Sequence, residues 1–212
     1  MPDDPDFGRH RRARPLAALA LSVCSGTALA QNSAPDSAPD SAPGLAQSVE
    51  IAAHRALARV QADAPLAPFT TDGCSGGMSA IWDLVAETIP AFAATHGDLP
   101  PWESCCVTHD RAYHAAGPFP DPRDGYAARR DADTALRACV RSGADAEAAR
   151  LAQSYDLSET TIRHAYDAVA DAMYNAVRLG GGPCSGLPWR WGYGYPNCIP
   201  RPQDYAPSDQ TD

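Results

Sequence analysis

The sequence predicts an all-α fold that is stabilised by disulfide bonds and contains little or no sheet. Apolar residues recur at helical spacing in successive segments, and no long stretch alternates in the way that a half-buried strand does. Six of the seven cysteines lie beyond residue 30, after a predicted export signal. An even number of cysteines in an exported chain is typical of a disulfide framework, which predicts three bonds here.

The predicted helices are bounded by their apolar period and by residues that favour helix ends. Pro101 and Glu103 suit a first turn, because proline needs no amide partner there and the helix dipole stabilises a carboxylate. Ser158 is a good N-cap for the longest period. Gly143 is expected to separate two helices. The predicted spans are Val49–Ala62, Ser79–Ala94 with an interruption near Pro90, Pro101–Ala115, Tyr126–Ser142, Ala146–Tyr155 and Ser158–Leu179.

Residues 1–30 are typical of a signal peptide. Several arginines precede a short apolar run, and Ala28-Leu29-Ala30 forms a small-x-small cleavage site. The apolar run is too short to span a bilayer. Lipoprotein anchoring at Cys24 is the alternative, which we disfavour because bulky Val23 stands where a small residue is expected. A secreted or periplasmic location follows from this prediction.

The rest of the chain is divided by composition. Residues 31–48 contain a Ser-Ala-Pro-Asp repeat without large apolar side chains, and predict a disordered linker. The remainder is long enough for one hydrophobic core but not for two. We therefore assign residues 49–183 to a helical domain and residues 184–212 to an aromatic C-terminal segment that Cys184 and Cys198 close.

Aromatic residues alternate in this C-terminal segment. They are Trp189, Trp191, Tyr193 and Tyr195. Alternation is compatible with a small hairpin that presents an aromatic face to a lipid interface, since Trp and Tyr favour the boundary between water and acyl chains. The other interpretation is a segment that folds back over the core of a small domain, and we favour it.

The charge of the chain excludes one class of partner. The net charge is −9, and all 17 basic residues are arginine. An acidic protein is not drawn by its net field to the phosphates of nucleic acids, so we expect no nucleic-acid partner. The same field attracts calcium.

Residues 105–113 hold the densest set of chemically useful groups. On a helix, Cys105, His109 and Tyr113 fall on one stripe, and Asp110 falls on the next. If Cys105 bonds Cys139, two helices are clamped antiparallel, and a carboxylate placed six residues before Cys139 can reach the histidine. A zinc site at the adjacent cysteines is the alternative, which the lack of a C-x-x-C pair disfavours.

That carboxylate is Asp133, with Asp131 as a near rival on the same helix. A carboxylate that accepts one imidazole N–H leaves the other nitrogen of His109 as a base of fixed orientation. The remaining histidines have no such neighbours in the sequence and are expected at the surface. They include His54, His96, His114 and His164.

The glycine-rich segment Thr71–Gly77 surrounds Cys74. Glycines allow a loop to turn its carbonyl groups inward, and hard oxygen atoms are the ligands that calcium takes. If Cys74 bonds Cys106, this loop lies beside Asp110. The sequence thus places a possible calcium loop next to the histidine helix.

These three blocks resemble the secreted phospholipase A2 superfamily. That family carries a Cys-Cys-x-x-His-Asp-x-Cys-Tyr helix, a glycine-rich calcium loop and an Asp six residues before a cysteine, which match residues 105–113, 72–77 and 133–139. Asp72-Gly73-Cys74 and the segment Tyr174–Arg178 are similar to the small bacterial and fungal members. The matching blocks cover about a third of the helical domain.

Two departures from the family pattern concern the site. Ala112 replaces a cysteine that is usual in the animal enzymes, and Ser75 stands where a loop glycine is common. A long insert, Ser79–Leu99, follows the calcium loop and is expected to cover or narrow the lipid cleft.

The resemblance implies two antiparallel catalytic helices and calcium-dependent hydrolysis of the sn-2 ester of a glycerophospholipid. The implied catalytic residues are His109, Asp133 and Tyr113, which hydrogen-bonds Asp133. The implied calcium ligands are Asp72, Gly73, Ser75, Gly77 and Asp110. The implied disulfides are Cys74–Cys106, Cys105–Cys139 and Cys184–Cys198. The expected partner is a phospholipid membrane surface or micelle, and the protein is expected to be a monomer.

Two other functions stay open. One is a non-catalytic lipid- or protein-binding module on the same fold, which would have no need of an intact His109, Asp110 and Asp133 set. The other is an acyl hydrolase that acts on a non-phospholipid ester. The sequence contains no Gly-x-Ser-x-Gly motif, which disfavours a serine nucleophile.

Overall fold

The computed structural model describes residues 44–74 and 78–205, and all regular secondary structure within these ranges is helical. The helices are α1 (Leu45–Asp63), α2 (Met78–Thr88), α3 (Pro90–His96), α4 (Glu103–Ala115), α5 (Pro122–Tyr155), α6 (Glu159–Gly180) and a short 3-10 helix (Pro202–Tyr205). The all-α prediction is confirmed. The predicted signal peptide, Cys24, linker residues 31–43, Ser75 and Gly77 lie outside the described residues.

Three disulfides stabilise the fold. They join Cys74 to Cys106, Cys105 to Cys139 and Cys184 to Cys198. The predicted pairings are therefore confirmed. The zinc alternative is wrong, because a zinc ligand is a free thiolate and both adjacent cysteines are already bonded.

Helices α4 and α5 run antiparallel. Going forward along α4, Cys105, His109 and Tyr113 meet partners that lie progressively earlier on α5. α6 then packs along most of α5, and α1 packs on α5 from another side. The centre of α5 is consequently surrounded by three other helices.

α5 is one helix where the sequence predicts two. The prediction that Gly143 separates them is wrong, because the helix continues through this residue. A glycine in a helix interior costs about 1 kcal/mol relative to alanine. A Cβ at this position would lie 3.4 Å from the ring of Tyr166 on α6. The missing side chain thus allows α6 to approach closely, and tertiary packing offsets the local cost.

The ends of the other helices follow local signals. The Ser158 side chain accepts a hydrogen bond from the Thr161 amide at 3.1 Å, so the predicted N-cap of α6 is present. α2 and α3 are separated at Ile89, next to the predicted interruption at Pro90. α1 begins at Leu45, so the last residues of the predicted linker 31–48 belong to this helix.

The insert between Cys74 and Cys105 packs on the ends of two helices. Trp82 of α2 meets Trp102, just before α4, with ring centroids 5.8 Å apart. His96, at the end of α3, stacks on Tyr155 at the end of α5, at 5.6 Å. That the insert narrows a lipid cleft stays a prediction.

The C-terminal segment folds back over α4 and forms turns without strand pairing in its described part. The hairpin alternative is wrong, because its amide groups bind elsewhere. The amide of Gly192 donates to the carbonyl of Tyr113 at 2.6 Å, and the amide of Gly194 donates to that of His114 at 3.3 Å. These carbonyls end α4 and have no partner within the helix. Trp191 is buried against Tyr113, with centroids 5.1 Å apart.

In the ranges 44–74 and 78–205, none of the helices combines the length and the apolar character that a bilayer crossing requires.

Candidate active site

His109 on α4 and Asp133 on α5 form a buried pair. His109 Nε2 lies 2.9 Å from Asp133 Oδ1. Asp133 is 0% exposed, whereas the side chain of its rival Asp131 is 76% exposed. The Cys105–Cys139 disulfide joins the same two helices one turn before the histidine. The contact that the helical spacing predicted is therefore present.

Tyr113 supports the same carboxylate. Its hydroxyl donates to Asp133 Oδ1 at 2.6 Å, as predicted. Burial, with the nearby charge of Asp133, raises the pKa of Tyr113 far above its ordinary value. The phenol consequently keeps its proton and acts as a donor over the whole physiological pH range.

A network of charged residues surrounds this pair, and sequence reasoning missed it. Arg178 of α6 donates to Asp133 Oδ2 at 2.9 Å, and Arg129 of α5 donates to the Tyr113 hydroxyl at 3.0 Å. Both arginines also pair with Glu50 of α1. The only local signal was the position of Arg129 four residues before Asp133 on one helix. Glu50 and Arg178 are 128 residues apart in the chain, so no spacing could associate them.

Arg129 also joins this network to the end of α6. Its guanidinium donates to the carbonyls of Val177 and Arg178 at 2.6 and 3.0 Å. These carbonyls lie in the last turn of α6, and that of Val177 also accepts a hydrogen bond from the Gly181 amide at 2.8 Å. The buried arginine thereby joins α5 and α6 beside the carboxylate.

The charges of the network shift the pKa of Glu50. Burial acts to raise this pKa, but the neighbouring His54, Arg129 and Arg178 together lower it from 4.5 to about 2. The 3.7 Å separation from His54 Nε2 is too long for a hydrogen bond, so we assign the larger effect to the two arginines. Glu50 is therefore a carboxylate at every pH at which the protein is expected to work.

The second nitrogen of His109 is directed towards Asp110. Nδ1 lies 4.0 Å from Asp110 Oδ1, which is too long for a hydrogen bond, so Asp110 acts on the ring through its charge. Burial lowers the pKa of His109, but Asp110 and Asp133 more than offset this effect, and the pKa lies above its ordinary value. The arrangement leaves Nδ1 able to bind a water molecule.

Two cavities meet beside Asp110, the residue that follows this histidine. The first is apolar, has a volume of about 350 Å³, and is lined by His109 and by α6 side chains such as Val169, Met173 and Val177. The second has a volume of about 330 Å³ and is lined by the more polar residues Thr70, Thr71, Asp72, Asp110, Pro188, Trp189 and Tyr193. Asp110 and Trp189 line both cavities, so they mark the junction.

Some of the predicted calcium ligands border the second cavity. The buried carboxylate of Asp110 accepts a hydrogen bond from the Thr71 hydroxyl at 2.5 Å, and that hydroxyl accepts one from the Gly73 amide at 3.0 Å. Gly73 has a φ of 75°, a left-handed conformation that favours glycine. Asp72 is exposed at the edge of the same cavity. Burial, and next the charges of Asp110 and Asp72, raise the pKa of Tyr193.

The donor set fits a hard cation such as calcium, which takes carboxylate and carbonyl oxygens. Within the described part of the chain, no three His, Cys, Asp or Glu side chains converge as a metal group. A calcium shell here would therefore need backbone carbonyls in addition to Asp72 and Asp110.

Two of the histidines that were expected at the surface are buried. The ring of His54 lies 6.1 Å from that of Trp191, and the ring of His114 lies 5.1 Å from that of Tyr193. The prediction is wrong for both, because the C-terminal segment covers them. His164 is exposed, as predicted, and His96 is half-buried against Tyr155.

No protein-family model, no curated protein and no solved structure matches this chain. Its function is therefore inferred from the residues and the geometry of the site.

Proposed function

We propose that the protein is a secreted, calcium-dependent phospholipase A2, which hydrolyses the sn-2 acyl ester of glycerophospholipids to a fatty acid and a lysophospholipid. The observation that carries the proposal is the position of His109. Its imidazole is bonded to the buried carboxylate of Asp133, and the residue also lines the apolar cavity beside α6. A purely structural histidine has no need of a cavity beside it.

His109 would act as a general base on water. Because Asp133 accepts the N–H of Nε2, the lone pair belongs to Nδ1, which is the nitrogen nearer to Asp110. Nδ1 takes a proton from water as the water oxygen attacks the ester carbonyl carbon. The same proton then passes to the glycerol oxygen as its bond to the acyl carbon breaks. No covalent enzyme intermediate forms.

Asp133 would orient the imidazole and stabilise its cation. Tyr113 and Arg178 each donate a hydrogen bond to this carboxylate, so it has little freedom to rotate away from the ring. Such fixed orientation is what general base catalysis requires, and a positioned base contributes about 10²–10⁴-fold to a rate.

Asp110, Asp72 and the carbonyl of Gly73 would hold the calcium ion. When bound, calcium supplies positive charge that attracts the phosphate and polarises the ester carbonyl. The acidic net charge of the chain favours such a cation.

The two cavities correspond to the two parts of a phospholipid. An acyl chain suits the apolar cavity beside α6, and a head group whose phosphate is balanced by calcium suits the second cavity, which Asp72 and Asp110 line. An ester that joins these two parts would lie at the junction, next to His109 and Asp110. Three disulfides also support an oxidising location, as in secreted proteins.

The test is hydrolysis of mixed-chain phosphatidylcholine vesicles, with calcium or with a chelator. We expect wild-type protein to release the sn-2 fatty acid only with calcium, and His109→Gln to be slower by about a thousandfold, because glutamine can donate to Asp133 but cannot accept the proton. His164→Gln is the matched control, since this histidine is exposed on α6, and we expect it to keep the wild-type rate.

Fatty acid release that needs no calcium, or that survives His109→Gln, would contradict the proposed mechanism. Hydrolysis of simple esters without hydrolysis of phospholipids would favour the general acyl hydrolase. Binding to the vesicles without release of any product would favour the non-catalytic module.

A further inference from the structure

The polar cavity contains aromatic rings that the proposed hydrolysis does not use. Trp189 and Tyr193 line it together with two carboxylates, those of Asp72 and Asp110. None of the described residues that line it is cationic. Such a lining is unsuited to an anionic group alone and is suited to a ligand that carries positive charge.

Both rings are held in place by contacts with the rest of the fold. The Tyr193 hydroxyl donates to the carbonyl of Thr70 at 2.7 Å. This hydrogen bond joins the C-terminal segment to the residue just before the glycine-rich segment. The indole of Trp189 packs on the backbone of Gly180, where a Cβ would collide with its six-membered ring. The Cys184–Cys198 disulfide closes the segment that carries both rings. The aromatic wall is therefore preorganised.

The arginine whose charge acts on Tyr193 is already engaged. Arg111 contributes to the electrostatic environment of Tyr193, but its guanidinium lies over the ring of Phe69, 4.4 Å from the centroid. Arg111 thus packs on Phe69, whereas the Tyr193 ring meets that of His114 at 5.1 Å and lines the cavity together with Trp189. A volume of about 330 Å³ has room for about ten groups of the size of water, at about 30 Å³ each.

Trp189 lies where a phospholipid would cross from one cavity to the other. It lines the apolar cavity as well as the polar one. A substrate with its acyl chain beside α6 and its ester near His109 therefore has its head group next to this indole. A weakly hydrated quaternary ammonium gains from the face of an aromatic ring, whereas a primary ammonium is strongly hydrated and needs hydrogen-bond acceptors.

Building on the proposed function, we propose that Trp189 and Tyr193 bind the trimethylammonium group of choline phospholipids. The protein would then prefer phosphatidylcholine to phosphatidylglycerol, whose head group carries no cation. Calcium held by Asp110 and Asp72 would balance the negative charge of the phosphate. The two rings would distinguish the head groups that are attached to that phosphate.

The first measurement is the ratio of kcat/KM for phosphatidylcholine to that for phosphatidylglycerol, each diluted in micelles of one neutral detergent with calcium. We expect wild-type protein to favour phosphatidylcholine. Trp189→Leu should lower the ratio by about 5- to 30-fold, the size of a desolvated cation–π contact. Trp189→Phe keeps an aromatic face and should retain most of the preference. Tyr205→Leu changes an exposed aromatic residue elsewhere and should keep the wild-type ratio.

The second measurement does not depend on hydrolysis. The indole N–H signal of Trp189 in a nitrogen–proton correlation spectrum of the full chain is assigned by its absence from the Trp189→Leu spectrum. We expect phosphocholine, added with calcium, to shift this signal. Glycerol phosphate, which shares the phosphate but lacks the cation, should shift it much less.

The outcomes separate the two proposals. Hydrolysis of both lipids with a ratio that Trp189→Leu leaves unchanged would overturn the choline site and leave the proposed function standing. If neither lipid is hydrolysed, the proposed function fails, and the spectrum decides about the site. A shift with phosphocholine alone would then support a choline-binding pocket, and equal shifts or no shift would overturn it.

Discussion

The carboxylates on the two sides of His109 differ in their surroundings. Asp133 lies in the first half of α5, has no exposed surface, and accepts hydrogen bonds from His109, Tyr113 and Arg178. Asp110 borders both cavities and accepts a hydrogen bond from Thr71. A carboxylate has about four acceptor positions. Asp133 therefore has its acceptor positions largely filled by protein, whereas Asp110 retains capacity for a ligand.

The difference follows from helix geometry. Asp110 is the next residue after His109, so it is rotated by about 100° around α4, away from α5. The Cys74–Cys106 disulfide brings the glycine-rich loop to that side. Asp133 of α5 lies at the other nitrogen of His109, in the space that α1, α4, α5 and α6 enclose. We infer that the enclosed carboxylate orients the imidazole and the other one binds the metal.

The largest effect should come from neutralising the enclosed carboxylate. Asp133→Asn should lower the free energy of unfolding by about 3–5 kcal/mol, because it leaves the charges of Arg129 and Arg178 opposed by Glu50 alone. Asp110→Asn should cost much less stability and should instead weaken calcium binding, on the order of tenfold. Urea denaturation and calorimetric calcium titration measure the two quantities.

Asp131→Asn is the control for the first of these measurements, since its side chain is exposed on the same helix. We expect its effect to stay within about 0.5 kcal/mol. Equal unfolding free energies for Asp133→Asn and Asp131→Asn would show that the network adds no stability. Equal losses of stability for Asp133→Asn and Asp110→Asn would remove the distinction between the two sides.

A smaller effect should appear in the pH dependence of stability. The pKa of Glu50 is lowered to about 2 in the folded protein from 4.5, so its contribution is complete above pH 4.5 and is lost as the pH falls towards 2. In wild-type protein the free energy of unfolding should therefore fall over this range. Glu50→Gln should remove on the order of 2 kcal/mol of that fall, after allowance for partial exposure.

Chemical denaturation at successive pH values between 2 and 4.5 measures this difference. Glu87→Gln is a suitable control, because this glutamate is exposed on α2 and away from the network. Parallel curves for wild type and Glu50→Gln would mean that the two arginines do not hold Glu50 in its charged form.

The smallest effect should come from removing the Thr71 hydroxyl, which donates a hydrogen bond to Asp110. Thr71→Val removes the hydrogen bond to Asp110 and the one that the hydroxyl accepts from the Gly73 amide, and it keeps the shape of the side chain. We expect calcium affinity to fall by at least about fivefold, equivalent to about 1 kcal/mol for the hydrogen bond to Asp110 alone. Thr134→Val is the control, since its hydroxyl bonds only the preceding turn of α5. Identical calcium titrations for both variants would mean that Asp110 needs no orientation by Thr71.

Several features of the site could be predicted because they depend on short spacings. Given the Cys105–Cys139 disulfide that the family resemblance implies, the contact between His109 and Asp133 follows from two counts along helices. The rejection of Asp131 follows from the same count. Ser158 could be identified as an N-cap because a cap involves only the next turn. In each case the relevant interaction lies within a few residues or is fixed by a covalent bond.

Other features could not be predicted, because they depend on distant residues. Gly143 favours a helix end locally, yet α5 continues because Tyr166 packs against it. The alternation of aromatic residues near Trp191 is compatible with a hairpin, but the amides of Gly192 and Gly194 bind the carbonyls at the end of α4. His54 and His114 were predicted at the surface, because no residue near them in the sequence indicates that the C-terminal segment covers them.

The sequence by itself determined the helical class, since period and capping are local properties. The family resemblance implied the cysteine pairings, and one of these pairings predicted the contact between His109 and Asp133. Only the tertiary structure decided the surroundings of that pair. Glu50, Arg129 and Arg178 come from three helices and meet because packing encloses Asp133, whose buried charge needs cationic partners. Trp189 likewise reaches the junction of the two cavities only through the fold of the C-terminal segment.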